Sequence, residues 1–105
     1  MLVHHPDYFC DIGAHVFPTR KFGLVRDRLM EEDSSLVIAA PEALPREAAA
    51  LVHTSDYLKD LDGDEHTERT QASELPLSRQ IVNAYYLATA GTCLAAKLAL
   101  EHGGG

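Results

Sequence analysis

The sequence is short of the residues that several broad classes of protein require. Cysteine occurs twice, at Cys10 and Cys93, far apart and in unrelated contexts. That leaves no disulfide framework and no Cys-X-X-Cys metal or redox centre. Two separate buried or partly buried thiols in a reducing compartment are expected, with a single Cys10–Cys93 bridge as the other option. Basic residues are also scarce, nine Lys and Arg against sixteen Asp and Glu, for a net charge of −7. Such a chain lacks the basic face that neutralises phosphates, so neither a nucleic acid nor an anionic membrane surface is an expected partner. No apolar run approaches the length of a membrane span. Met1-Leu2-Val3 leads directly into His4, His5 and Pro6, without the apolar stretch of a secretory signal, so a cytoplasmic location is expected. Internal repeats and low-complexity tracts are missing too, apart from the terminal Gly103-Gly104-Gly105.

What the chain does have is a hydrophobic content of 46% over 105 residues, enough for the small core of one domain. Residues 1–5 read as a first strand, followed by an irregular stretch to Pro18. Thr19 is placed to cap a helix reaching about Met30, with Phe22, Val25 and Leu29 on one face. Leu36 to Ala40, a continuous apolar run ended by Pro41, reads as a buried strand. Pro45 suits the first turn of a helix running to about Val52, and Thr54 caps another carrying Tyr57, Leu58 and Leu61. Residues 62–74 are charged and without apolar rhythm, so a solvent-facing loop is expected. Pro76 opens the longest helix, to about Glu101. On it Ala84, Ala88, Gly91 and Ala95 form a stripe of small residues that lets another element approach closely. Strand alternating with helix points to α/β architecture with a parallel sheet. Two readable strands are few for such a sheet, so the pattern reads as part of a larger domain.

Six histidines invite a metal hypothesis. His4 and His5 are adjacent, and in a strand they point to opposite faces; with Asp7 they make at most a weak site. His15, His53 and His102 are isolated and read as packing or hydrogen-bonding residues. Asp60, Asp62 and Asp64 alternate as in a calcium loop. The glycine that should follow the third acid is replaced by Glu65, however, and the closing glutamate by Gln71. No nucleophile elbow, phosphate loop or dinucleotide fingerprint occurs.

Several phrases taken together are more specific. His4-His5-Pro6-Asp7-Tyr8, His15-Val16-Phe17-Pro18-Thr19-Arg20-Lys21-Phe22, Val52-His53-Thr54-Ser55-Asp56-Tyr57-Leu58, Leu75-Pro76-Leu77-Ser78 and Ala90-Gly91-Thr92-Cys93-Leu94-Ala95-Ala96 resemble successive blocks of the histone deacetylase and acetoin-utilisation protein family. Their order and spacing agree over nearly the whole chain. The flavour is that of the small bacterial and class IV-like branch.

The resemblance implies that residues 1–105 form a single partial domain, the N-terminal segment of a deacetylase-like catalytic domain. The fold it implies is the first part of an arginase/deacetylase-type parallel sheet with flanking helices, helix-rich in this chain. The family's zinc polarises the acyl carbonyl of an acetyl-lysine or acetylated amine and activates water. Its catalytic histidine pair, in a Gly-Gly-X-His-His-Ala motif, and its zinc ligands would all follow Gly105. No catalytic residue and no cofactor are therefore assigned to this chain, which is expected to be inactive alone. What carries over is peripheral. Phe17 and Pro18 fall in a loop lining the substrate tunnel. Lys21 falls where relatives place a basic residue near an internal channel, a solvated helix-start lysine being the alternative. Glu74 falls near a rim position that grips substrate, with a plain loop charge as the alternative. The partner is then the missing C-terminal part of the domain. A second hypothesis is a non-enzymatic module derived from such an enzyme, a homodimer that covers the apolar faces of 36–40 and 76–101. A metal binder built on residues 60–66 is a distant third.

Overall fold

The computed structural model describes residues 1–12, 18–73 and 75–103. In chain order they form strand β1 (Leu2–Val3), a 3-10 turn at Pro6–Tyr8, helix α1 (Lys21–Glu32) and strand β2 (Ile38–Ala39). Helices α2 (Arg46–Ala49), α3 (Ser55–Asp62), α4 (Glu68–Gln71) and α5 (Arg79–His102) follow. The strands pair in parallel, Leu2 opposite Ile38 and Val3 opposite Ala39.

This corrects the expected fold class. The described residues are 57% helix with one two-stranded sheet among them, a small helix-rich assembly and not an arginase/deacetylase-type parallel sheet. The physical reason lies in where burial falls. The 36–40 run is β-branched and apolar, yet Val37 is 59% and Ile38 37% exposed. A strand gains the cover of a sheet interior only when elements pack on both faces. Here the apolar residues able to bury themselves sit on helices instead. Ile81, Val82, Ala84, Leu87, Ala90 and Gly91 are all buried on α5.

The core assembles on the first half of α5. Cys10, Ile81 and Ala84 form its centre, with Ile12 packed against them. The small-residue stripe does what its spacing implies: the space a Cβ on Gly91 would need is taken by the Tyr8 hydroxyl, with Val3 Cγ1 at 3.6 Å. The bare backbone thus admits the β1–Tyr8 segment against α5.

Capping follows side-chain chemistry closely. Thr54 Oγ1 accepts the Tyr57 N–H at 3.2 Å at the start of α3. Ser78 does the same for Ile81 at 3.2 Å, so α5 begins at Arg79, three residues later than Pro76 suggests. Gly103, at φ 74°, closes the other end in the left-handed conformation that favours glycine. Thr19 departs from expectation. Arg20 is the N-cap of α1 and gives no side-chain cap. The buried Thr19 hydroxyl instead donates to the Cys10 carbonyl at 2.6 Å and accepts the Cys10 N–H at 3.0 Å. Two long-range bonds outcompete one local cap.

The acidic stretch after α3 is likewise more ordered than its composition suggests. Asp60 is buried and accepts from Thr67 Oγ1 at 2.9 Å and from Arg69 Nε and Nη2 at 3.0 and 2.7 Å. Thr70, also buried, donates to the Glu65 carbonyl at 2.7 Å. These bonds fold α4 back onto α3 without any apolar periodicity. Among the described residues no helix is long and apolar enough to cross a membrane.

Candidate functional site

A parallel sheet directs the carboxyl ends of its strands toward one edge, and ligand clefts form there. In this chain β1 runs out into His5 and Asp7, and β2 into Pro41 and Glu42. A pocket of about 700 Å³ opens between these segments, Arg46 on α2, Asp62 on α3, and Arg79, Asn83 and Tyr86 on α5.

Its electrostatics are largely settled internally. Arg46 forms an ion pair with Asp62, while Arg79 donates to the Asp62 carbonyl and lies 3.5 Å from Asp64 Oδ1. Asp64 sits at φ 51°, so the turn after α3 enters the left-handed region at a non-glycine residue. Each guanidinium is thus committed to the end of α3. The cluster ties α2, α3 and α5 together at one corner. Because these groups are nearly half exposed, each pair is worth no more than about 1 kcal/mol.

His5 is held by the 3-10 turn, its Nδ1 accepting the Asp7 N–H at 3.0 Å. His4 points elsewhere. It is buried, its backbone N–H donates to the Ala39 carbonyl at 3.0 Å, and its ring meets Tyr8 edge-on at 5.5 Å. Burial holds the His4 pKa below its ordinary 6.5, with the positive charge of Arg26 acting in the same direction. The Tyr8 phenol is pushed above its usual range by burial. Asp60 stays ionised below the usual carboxylate range because Thr67 and then Arg69 bond its charged form.

Zinc does not fit the residues described. The adjacent histidines diverge, His5 Nδ1 is already an acceptor, and among the described residues no three His, Cys, Asp or Glu side chains converge. Cys10 is buried and Cys93 exposed, and both are free thiols.

Of the residues singled out from the sequence, Phe17 and Glu74 lie outside the described residues, as does His15. Pro18 is exposed in the turn before α1, its carbonyl accepting the Lys21 N–H at 3.3 Å. Lys21 opens α1 half-buried, with its Nζ 5.6 Å from the centre of the Phe22 ring. The structure brings Pro18 and Lys21 together, away from the strand-end pocket, which neither lines. Arg46, Arg79, Asn83 and Tyr86 carry no motif, and sequence reasoning missed them. The only local hint was Arg79 directly after the helix-capping Ser78.

A second cavity, about 520 Å³ and mainly apolar, runs between α2, α3 and α5 past Leu44, Leu61, Leu77, Tyr85 and Cys93. It is a trough in the packing of the helices, and among the described residues that line it none is Asp, Glu, Lys or Arg.

No protein-family model matches the chain. It is 36% identical over 106 aligned residues to an uncharacterized protein of Picosynechococcus sp.. The alignment covers 97% of this chain and 35% of the relative, so the chain spans about a third of that protein's length.

Proposed function

We propose that the chain is the N-terminal segment of a histone-deacetylase-like, zinc-dependent amidohydrolase, and that it has no hydrolase activity by itself. The observation that carries this reading is the ordered set of sequence blocks from His4 to Ala96. The match to one third of a longer protein agrees with a segment of something larger. The apolar trough along α2, α3 and α5 offers a surface for further chain to cover. The substrate class in the full-length protein is an acetyl-lysine side chain or a similar acylated amine. Within this chain Lys21 and Pro18 would lie near the tunnel and contribute no chemistry.

Reading the coding sequence beyond codon 105 and expressing the extended protein tests this. The expected continuation holds Gly-Gly-X-His-His-Ala, and the extended protein releases acetate from an acetyl-lysine peptide in a reaction stopped by a chelator. Turnover by the 105-residue chain alone, or a continuation without the histidine pair, overturns the proposal. A non-enzymatic, self-associating module is the second reading. It is favoured by the large apolar residues left exposed on α1 and just before β2, including Leu24 at 60% and Val37 at 59%.

A further inference from the structure

The trough along α2, α3 and α5 has the character of a core and not of a surface. Its floor is buried at Leu58, Ile81 and Val82. The described residues on its walls include no Asp, Glu, Lys or Arg, although those four types make up 24% of the chain. Its rim nevertheless stands open, with Leu51 84%, Val52 79% and Tyr85 48% exposed and Cys93 an exposed thiol. An apolar concavity without charges resembles a domain core cut in half, which is the mark of a permanent contact. Interfaces with transient partners are about as polar as the rest of a protein's surface. The shape of the molecule agrees. It measures 45 × 33 × 16 Å, with a radius of gyration of 15.5 Å, where a closed domain of this length has about 13 Å. The chain is too flat to enclose its own core.

We propose that the trough is the seat of an uncharged, apolar segment from the remainder of the same polypeptide, which fills it and completes the core. The length of chain available supports this occupant. The Picosynechococcus protein matches 97% of this chain with only 35% of its own length, so about two thirds of that protein lies outside the match. A segment in the same polypeptide is presented at high effective concentration. It therefore needs no charges to steer or orient it, in keeping with the uncharged walls. The contact presupposes the longer protein of the amidohydrolase reading, but it requires neither zinc nor hydrolysis.

The test compares the 105-residue chain with the protein extended beyond codon 105, and Cys93 is the reporter. Iodoacetamide should alkylate Cys93 at once in the short chain and at least about 100-fold more slowly in the extended protein, with full reactivity restored in urea. Cys10, 2% exposed, does not interfere. Leu51→Asp gives a second measurement. In the short chain, where Leu51 is 84% exposed, its urea midpoint should match the parent's. In the extended protein the buried carboxylate should shift the unfolding equilibrium by at least about tenfold, while Leu51→Met leaves it unchanged. Equal Cys93 rates in the two proteins overturn the proposal, as does an equal effect of Leu51→Asp in both. A Cys93 already slow in the short chain overturns it too, because the trough is then filled without further chain. So does a coding sequence that ends at codon 105. An extended protein that hydrolyses acetyl-lysine but keeps a fast Cys93 fails this contact alone, and a slow Cys93 without hydrolysis fails the amidohydrolase reading alone.

Discussion

Replacing Gly91 by alanine sets two effects of known sign against each other. Alanine in a helix interior is favoured over glycine by about 1 kcal/mol. At this position, however, the new methyl group would collide with the Tyr8 hydroxyl and approach Tyr8 Cζ to 3.1 Å. Tyr8 has little freedom to swing away. Its ring is edge-on to His4 at 5.5 Å and to Phe22 at 6.1 Å, and the phenol is partly buried. Overpacking of this kind costs about 1–3 kcal/mol, so the net expectation is a loss of about 1 kcal/mol. For a chain of this size that lowers Tm by about 4–8 °C. The decisive comparison is the same change made on Tyr8→Phe, which removes the colliding hydroxyl and leaves the ring Cζ at 3.1 Å, a contact that a shift of a few tenths of an ångström relieves, and Val3 Cγ1 at 3.6 Å. There Gly91→Ala should be neutral or stabilising by up to about 1 kcal/mol. Urea unfolding of the four proteins gives the coupling energy, expected to be at least about 1 kcal/mol. A stabilising Gly91→Ala in the parent, or additivity within about 0.5 kcal/mol, refutes the argument that the bare Gly91 backbone sets the approach of the N-terminal segment.

Three further outcomes follow from the same geometry. Burial depresses the His4 pKa, so the folded state binds its proton less readily than the unfolded chain. Stability from this residue is complete above pH 6.5 and is lost as pH falls from there through the folded-state value. The parent should therefore lose Tm faster than His4→Gln across that window in thermal melts, and parallel profiles would contradict the assignment. Thr54→Ala removes the cap of α3 and should cost about 1 kcal/mol in denaturant titrations; an unchanged midpoint would show that the Tyr57 N–H finds another acceptor. In a thiol-titration assay Cys93, exposed, should react at once and Cys10, 2% exposed, only on unfolding, and two fast thiols would disprove burial at Cys10.

Much of the local structure was legible before any fold was known. The cap at Thr54 and the stripe through Gly91 are governed by short-range sterics and hydrogen bonding, which a linear pattern carries; the start of α5 at its Ser78 cap, beyond Pro76, and the left-handed Gly103 came only with the structure. The parallel pairing of residues 2–3 with 38–39 also agrees with the strand–helix–strand order. Three further things were not legible. Leu36 to Ala40 looked buried because β-branched runs usually are, but burial depends on what packs above and below. Thr19 looked like a cap because its alternative partner, the Cys10 backbone, lies nine residues away. Residues 62–74 looked like a solvated loop because hydrogen-bonded order around Asp60 leaves no hydrophobic period to read. The strand-end cluster of Arg46, Asp62 and Arg79 joins three helices and has no linear signature.

By itself, then, the sequence determined the start of α3 at its Thr54 cap, which face of α5 can be approached closely, and the net charge of −7. Those properties depend on neighbours within a few residues or on summed composition. Only the tertiary structure decided that the strands stay two residues long, that Asp60 is buried against Arg69, and that Phe22 of α1 packs edge-on against Tyr8 while Val25 stays 56% exposed. Each of those depends on whether a distant segment arrives to pack or pair, and chain-order patterns do not carry that information.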